Sequence, residues 1–210
     1  MITSVSNKKI KDLKKLKENK NIRKYKKYLI EGKHLIEEAL RANVVEEIII
    51  GENFSDESLL TYFTGEVTVV SESIMKSITE TITTQGIIGV CRIEEKQLDI
   101  TKYKKVLILD RIQDPGNLGT IIRTAVAVGL KKIYISKGSV DIYSHKVIRS
   151  SMGMIFKIQV IEGEIEMILK ELISLGYIPI KTKMTGKNLY TFTAENVEKD
   201  DNKFAIFFRK

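Results

Sequence analysis

The chain has 210 residues, of which 43% are hydrophobic and 30% charged, and its formal net charge is +8. This composition is typical of a globular protein with a sizeable core, and no apolar run is long enough to span a membrane. The first 20 residues lack the apolar stretch of a secretory signal. One cysteine and two histidines leave no intrachain disulfide and too few ligands for the usual zinc site. We therefore expect a metal-free cytoplasmic protein.

The surplus positive charge lies at the start of the chain. Residues 1–33 contain 12 Lys and Arg against 3 Asp and Glu, whereas the remainder contains 23 against 24. Such a block favours binding to a polyanion, most simply RNA or DNA, although a solvated helix face or a flexible basic tail would have the same composition. The residues predicted to contact phosphates here are Lys8, Lys9, Lys14, Lys15, Arg23, Lys24 and Lys33.

Residues 1–95 alternate between helical and strand patterns. Ile10, Leu13 and Leu16 have the spacing of an amphipathic helix within residues 7–27, with a break near residues 19–21. "YLIEGKHLIEEAL" predicts a strand and a helix, and "VVEEIIIGEN", "VTVVS" and "GIIGVCRIE" predict strands. "SDESLLTYF", which opens with a capping Ser-Asp pair, and "SESIMKSIT" predict helices. The alternation indicates a small α/β domain, followed by a polar linker over residues 96–104.

The pattern restarts in residues 105–210. "KVLILD" is a continuous apolar run, which is typical of a strand buried on both faces of a parallel sheet. "GTIIRTAVAVGL" predicts a helix that ends at Gly129. Further strands are predicted at "KKIYIS", "KIQVIE", "YIPIKT" and "KFAIFFRK", and further helices at "YSHKVIRSSMGMIF" and "EIEMILKELISLG". The fold class is therefore α/β, with a parallel sheet in the second domain.

The segment from Asp110 to Gly119 is a candidate binding loop. Ligands of open parallel sheets gather at the carboxyl ends of the strands, where helix N-termini present free N–H groups. Gly116 and Gly119 would allow close approach of the backbone, and Arg123, one turn beyond Gly119, would point back over the loop towards a phosphate or a ribose. The loop matches neither a dinucleotide fingerprint nor a Walker loop. A structural glycine-rich turn with a solvated arginine explains the same residues equally well.

Longer matches indicate a family. "DPGNLGTIIRTAVAVG" resembles the first signature, N-x-G-x-x-R-T-A, of the SpoU-type (TrmH) RNA ribose 2′-O-methyltransferases. "GSVDIYSHKVIRSSMGMIF" is similar to a further segment of that family, with His145 where the family often has proline. "YLIEGKHLIEEAL" and "TQGIIGV" resemble its N-terminal RNA-binding module, a small ribosomal-protein-like α/β domain. The resemblance implies an RNA-binding domain followed by a SPOUT-type methyltransferase domain.

The resemblance also implies roles for individual residues. Asn117 and Arg123 match the substrate side of the catalytic site, with S-adenosylmethionine as the methyl donor. Arg149 and Gly32 would join the basic block in binding RNA, ribosomal rather than transfer RNA. Glu31, Gln85 and Gly86 also fall at motif positions of the RNA-binding module, but a β-turn explains the last two equally well. The family resemblance implies a homodimer.

The cofactor side of the match is incomplete. Thr182, Lys183 and Met184 occupy the position of the family's first donor loop. The two later signatures, Gly-x-Glu-x-x-Gly and Pro-Met-x-Gly with Ser-Leu-Asn-Val-Ser, which form the donor pocket and the knot, do not appear in the sequence. We therefore expect an incomplete methyltransferase domain in which "FAIFF" is left uncovered.

Two alternatives remain open at this point. One is a truncated RNA-binding relative that neither binds the cofactor nor catalyses methyl transfer. The other is an unrelated small-molecule α/β enzyme that uses the loop at residues 110–123, although the basic block and the long ordered resemblance argue against it.

Overall fold

The computed structural model describes residues 1–61, 63–94, 98–183, 185–186 and 202–209, which form two compact units. The first unit is Met1–Glu95 with Asp141–Lys157, and the second is Lys96–Val140 with Ile158–Lys210. This grouping differs from the predicted boundaries, 1–95 and 105–210, in one internal segment. Residues 141–157 group with the first unit because Ile148 and Phe156 pack into its apolar core.

The helices and strands are numbered in chain order. The helices are α1 (Lys8–Lys15), α2 (Asn19–Tyr25), α3 (Lys33–Arg41), α4 (Glu72–Ile78), α5 (Pro115–Ala127), α6 (His145–Ser151) and α7 (Ile165–Ser174). The strands are β1 (Lys27–Glu31), β2 (Val45–Gly51), β3 (Glu66–Val70), β4 (Ile87–Arg92), β5 (Lys105–Asp110), β6 (Lys132–Ser136), β7 (Gln159–Gly163), β8 (Tyr177–Lys181) and β9 (Lys203–Arg209). None of the described helices is long and apolar enough to cross a membrane.

The first unit is a four-stranded sheet with an apolar core on each face. Its strand order is β1-β4-β2-β3, and of these pairs only β2 and β3 run parallel. Successive residues of β2 point to opposite faces, so Ile48 packs with Ile36 of α3 on one side and Ile49 packs with Ile74 of α4 on the other. The second core also takes up Ile10 of α1. The basic N-terminal segment is therefore attached to the domain through its apolar stripe.

The second unit is a five-stranded sheet of order β7-β6-β5-β9-β8 in which every pair is parallel. This confirms the α/β class with a parallel sheet. β9 lies between β5 and β8, and its side chains Phe204 and Phe207 are buried. The expectation that "FAIFF" stays uncovered is therefore wrong for most of the strand, and only Phe208 is largely exposed.

Two predicted helices differ from the structure. "SDESLLTYF" contains a single 3₁₀ turn, Glu57–Leu59, among its described residues. The predicted helix over residues 143–156 ends at Ser151, because Met152 and Gly153 take positive φ angles of 52° and 80°. A Cβ on Gly153 would lie 2.9 Å from the side chain of Glu38, so glycine allows the chain to turn close against α3.

Candidate active site and RNA-binding surface

Helix α5 begins directly after the loop that follows β5. The Asp114 side chain accepts a hydrogen bond from the Asn117 N–H at 2.7 Å, and Pro115 occupies the first helical position. Both are strong helix-start signals. The helix therefore begins four residues before the predicted start at Gly119, so Gly116 and Gly119 lie inside the helix rather than in the loop.

The loop before α5 is fixed to the neighbouring strand. Asp110, the last residue of β5, is buried, and Arg111 takes a positive φ of 55°. The Arg111 N–H donates a hydrogen bond to Ser136 Oγ at 2.7 Å, at the end of β6. A non-glycine residue with positive φ is held there by its surroundings and is common near functional loops. The carboxyl ends of β5 and β6 are thus joined at the edge of the sheet where ligands bind in this fold class.

Asn117 and Arg123, the two predicted catalytic residues, both lie on α5 and are exposed. Six residues separate them, which in an ideal helix is roughly 9 Å along the axis and about 120° around it. Arg123 therefore lies in the third turn of the helix, and this spacing separates its side chain from that of Asn117. Among the described residues the Arg123 guanidinium has no hydrogen-bond or ion-pair partner, so it is available to a ligand.

The predicted donor residues follow β8 at the same edge of the sheet. The Thr182 N–H and hydroxyl both donate to the Phe207 carbonyl, at 3.1 and 3.2 Å, and so extend the pairing of β8 with β9. Lys183 is exposed, and its carbonyl accepts from Gly186. Met184 lies outside the described residues. A lysine ammonium suits the carboxylate of a methyl donor and not its sulfonium, so the described residues fit only that end of the donor.

The ammonium group of Lys9 contacts three side chains of the protein. It pairs with Glu47 and Glu66 and donates to Thr68 Oγ1 at 2.8 Å. Burial by itself would lower the pKa of Lys9, but the two carboxylates outweigh it and the pKa is raised. That Lys9 contacts RNA stays a prediction, and such a contact would require these bonds to break first.

Three more of the predicted cations also have carboxylate partners: Lys15 pairs with Asp12 at 2.7 Å, Arg23 with Asp141 at 2.9 Å, and Lys33 with Asp56 at 2.9 Å. The remaining cations, Lys8, Lys14, Lys24 and Arg149, have no ion-pair partner among the described residues. Of these, Lys8, Lys24 and Arg149 are exposed and Lys14 is half-buried. The basic block therefore offers fewer available charges than its composition indicates.

Gln85 and Gly86 have a structural role at the start of α3. Gln85 Oε1 accepts the Lys33 N–H at 2.8 Å, and Gly86 has a φ of 72°. Gly32 has a φ of 95°, and a Cβ there would lie 3.0 Å from Gln85 Oε1. The turn interpretation thus accounts for Gln85 and Gly86 at these positions, and also for Gly32.

His145 is a polar contact residue outside the set of predicted site residues. Its Nδ1 lies 3.3 Å from Glu80 Oε2, its Nε2 lies 3.5 Å from Glu31 Oε1, and its side chain is 14% exposed. The Glu31 carboxylate also accepts bonds from the Glu80 and Thr81 N–H groups and from the Thr81 hydroxyl. The available signal was the histidine in place of proline in the family segment.

Metal binding and thiol reactivity are two further kinds of chemistry to consider among the described residues. These residues contain no cluster of three or more His, Cys, Asp and Glu side chains that could hold a metal ion. Cys91 is buried, and burial raises the pKa of its thiol well above the usual range, so the thiol is unreactive.

Comparison with known proteins agrees with this geometry. Residues 104–208 match the model of the SpoU rRNA methylase family, and residues 7–89 match that of the MRM3-like substrate binding domain. The chain is 40% identical over 177 residues to the 23S rRNA (guanosine(2553)-2′-O)-methyltransferase RlmP of Bacillus subtilis, which covers 83% of this chain and 70% of the relative.

Two solved structures have the same fold. An RNA 2′-O ribose methyltransferase is 28% identical, with a TM-score of 0.76 over 98% of this chain and 80% of that one. An rRNA methyltransferase of Sinorhizobium meliloti, solved with bound AdoMet, is 24% identical, with a TM-score of 0.82 over 98% of this chain and 79% of that one. The chain thus belongs to the SpoU family of S-adenosylmethionine-dependent RNA 2′-O-methyltransferases.

Proposed function

We propose that the chain transfers a methyl group from S-adenosylmethionine to the ribose 2′-hydroxyl of a guanosine in 23S ribosomal RNA. The observation that carries the proposal is the exposed pair Asn117 and Arg123 on α5, the helix that begins at the carboxyl edge of the parallel sheet. The 40% identity to a 23S rRNA guanosine 2′-O-methyltransferase supports the choice of RNA over small molecules, and of ribosomal over transfer RNA.

Arg123 and Asn117 would act by position and charge. S-adenosylmethionine supplies an activated methyl group, so the protein has to orient the ribose oxygen and assist the loss of its proton. A guanidinium with a pKa above about 12 stays protonated and is a poor base. It can hold the adjacent phosphate in a bidentate contact and stabilise charge that develops on the 2′-oxygen. The Asn117 amide can accept from the hydroxyl or donate to the phosphate.

The first unit would hold the rest of the RNA. Lys8, Lys24 and Arg149 are exposed and have no carboxylate partner among the described residues. Each such cation that meets a phosphate releases a counterion, so the affinity falls as salt rises. The match of residues 7–89 to a substrate-binding domain supports the assignment of RNA binding to the first unit.

A second candidate is an RNA-binding relative without methyl transfer. One observation favours it: both donor groups of Thr182 are taken by the Phe207 carbonyl, so a predicted cofactor contact is already satisfied within the sheet. Calorimetric titration of S-adenosylmethionine into the folded chain separates the candidates. Saturable binding supports the methyltransferase, and its absence favours the RNA-binding relative.

We also infer a homodimer, as expected for the family. Ile178 and Phe208 are 43% and 45% exposed, and the register of β8 with β9 places both on one face of the sheet. Burying such apolar side chains favours association. Light scattering is expected to give twice the 23.9 kDa mass of the chain, and a monomer across micromolar concentrations would contradict the proposal.

The direct test of the function uses labelled S-adenosylmethionine with a 23S rRNA transcript that contains the guanosine corresponding to 2553. The label is expected on the ribose of that nucleotide, and it is expected to be lost when the transcript carries 2′-deoxyguanosine there. A label on a base, or preferential labelling of transfer RNA, would contradict the proposal.

A further inference from the structure

Arg111, the first residue after β5, has a left-handed backbone conformation for which no helix end accounts. The described non-glycine residues with positive φ angles are Lys26, Asn43, Arg111 and Met152. Lys26 and Met152 are the C-caps of α2 and α6, and Asn43 directly follows the C-cap of α3. The left-handed conformation is ordinary at such helix ends. Arg111 instead follows a strand, at the carboxyl edge of the parallel sheet, where ligands bind in this fold class.

Hydrogen bonds to the loop after β6 hold Arg111 in this conformation. Three bonds connect residues 111–113 with residues 136–140: the Arg111 N–H donates to Ser136 Oγ at 2.7 Å, the Val140 N–H to the Ile112 carbonyl at 2.8 Å, and the Gln113 side-chain amide to the Gly138 carbonyl at 2.9 Å. A residue with a Cβ is less stable in this conformation than glycine. The fold therefore maintains an unfavourable backbone at a ligand-binding edge, which is typical of functional sites.

The Arg111 side chain is exposed, and its guanidinium has no hydrogen-bond or ion-pair partner in the described part of the chain. Asp114, the next acidic residue along the chain, accepts the Asn117 N–H as the N-cap of α5. Lys137, which follows β6 at the same edge, differs because its ammonium pairs with Glu164 at 3.0 Å. Arg111 therefore presents a charge at this edge that is available to an anionic ligand.

Strand order separates Arg111 from the predicted donor residues. In the sheet, β9 lies between β5, which Arg111 follows, and β8, which Thr182 and Lys183 follow. Two strand spacings are roughly 10 Å. The loop that contains Arg111 is bonded to the loop after β6, on the side of β5 away from β8, and it leads into α5, which presents Asn117 and Arg123. These positions favour the RNA over the methyl donor as the ligand of Arg111.

We propose that Arg111 is an RNA-binding residue of the methylation site: its guanidinium binds a backbone phosphate that flanks the target nucleotide. The inference rests on the proposed function and adds to it a contact from the second unit. A guanidinium can hold two phosphate oxygens at once, whereas an ammonium acts as a point charge. Because the backbone of Arg111 is already fixed by its loop, less conformational freedom is lost when the phosphate binds.

The test measures the dissociation constant for a fluorescent 23S rRNA transcript at several salt concentrations. Asparagine tolerates the left-handed conformation, so Arg111→Asn removes the charge and keeps the loop. This variant is expected to bind about five- to tenfold more weakly and to reduce the slope of log K against log salt by about 1. Its thermal unfolding midpoint is expected to be unchanged or higher, because asparagine is less strained there than arginine.

Two further variants separate the guanidinium from charge in general. Arg111→Lys is expected to weaken binding about two- to threefold and to keep the salt slope, because the charge remains and the planar fork is lost. Lys131→Asn is the matched control, since Lys131 is an exposed cation at the opposite, amino edge of the same sheet, directly before β6. It is expected to keep both the affinity and the slope. A loss equal to that of Arg111→Asn would overturn the inference.

A neutral phosphate analogue locates the contact. Two RNAs each carry a single methylphosphonate linkage, on the 5′ or on the 3′ side of the target guanosine. If Arg111 binds a flanking phosphate, Arg111→Asn has no further effect on the affinity for one of these RNAs. Fully additive losses with both RNAs would overturn the inference.

The remaining outcomes distinguish this inference from the proposed function. Unchanged RNA affinity in Arg111→Asn would overturn the inference while the proposed function stands. Weaker calorimetric binding of S-adenosylmethionine in that variant, with RNA affinity unchanged, would assign Arg111 to the carboxylate of the donor instead. If wild type does not bind the transcript, the proposed function fails, and the inference fails with it.

Discussion

The two groups of residues predicted to meet RNA differ in what they already contact. In the N-terminal block, Lys9, Lys15, Arg23 and Lys33 are bound to carboxylates of the protein. On α5, Asn117 and Arg123 are exposed, and Arg123 has no polar partner among the described residues. Much of the basic block therefore makes contacts that stabilise the fold, whereas Arg123 on α5 is available to a ligand. The difference shows that a count of charges overestimates a binding surface when the same segment must also attach to a folded domain.

The largest expected effect comes from Arg123→Ala. Removing a guanidinium that orients the ribose and stabilises developing charge is expected to lower the single-turnover rate of methyl transfer by about 10²- to 10³-fold. The fold is expected to remain intact, because the side chain is exposed. Lys170→Ala, which removes an exposed cation from α7, is the matched control. Equal losses in both variants would contradict the role of Arg123.

Glu31→Gln tests how much the polar contacts of the Glu31 carboxylate stabilise the first unit. The pKa of Glu31 is lowered to about 2 in the folded state, against about 4.5 when unfolded. Its contribution to stability is therefore fully present above pH 4.5 and is lost as the pH falls towards 2. At neutral pH the substitution is expected to cost on the order of 2 kcal/mol in urea unfolding, and the difference from wild type is expected to shrink in acid.

The control for this measurement is Glu166→Gln, at an exposed position of α7. It is expected to change stability by less than about 0.5 kcal/mol at any pH. A cost for Glu31→Gln that stays constant down to pH 2 would show that the carboxylate charge is not the source of the stabilisation.

Lys9→Ala and Lys8→Ala separate a structural cation from an available one. Lys9→Ala leaves Glu47 and Glu66 without their shared partner and is expected to lower the free energy of unfolding by about 1 kcal/mol. Lys8 is exposed, and its substitution is expected to leave stability unchanged. Thermal unfolding of both variants is the measurement, and the reverse order of stabilities would remove the distinction between the two lysines.

The smallest expected effect is that of Lys24→Ala on RNA affinity. Lys24 is exposed, and its ammonium lies 5.4 Å from the centre of the Tyr25 ring. The loss of one phosphate contact is expected to weaken binding about two- to threefold and to reduce the slope of log K against log salt by about 1. An unchanged slope would place Lys24 outside the RNA interface.

Local patterns predicted much of the fold. "KVLILD" forms β5, and the segment with the apolar spacing of Ile10 and Leu13 forms α1. Gly129, which follows the last turn of α5, has a φ of 82°. Each of these features depends on neighbouring residues alone. The start of α5 was also readable, because Asp114-Pro115 is a capping signal, but the glycines that follow it favoured a loop interpretation.

The features that sequence reasoning missed depend on distant residues. The insertion of β9 between β5 and β8 is a matter of strand order, which no local pattern encodes. The end of α6 follows from the close approach of Gly153 to Glu38, 115 residues earlier in the chain. The pairing of Lys9 with Glu66 and of His145 with Glu31 likewise joins positions far apart in sequence. Candidate residues could be named from motifs, but their availability to RNA could not.

The most direct test of the comparison measures two quantities for Arg123→Ala and Lys24→Ala side by side: the dissociation constant for the 23S rRNA transcript, and the single-turnover methylation rate at saturating transcript. Arg123→Ala is expected to keep the affinity within about threefold and to lose at least about 100-fold in rate, whereas Lys24→Ala is expected to lose affinity and keep the rate. If both variants change the same quantity, the assignment of chemistry to α5 and of RNA binding to the N-terminal block is wrong.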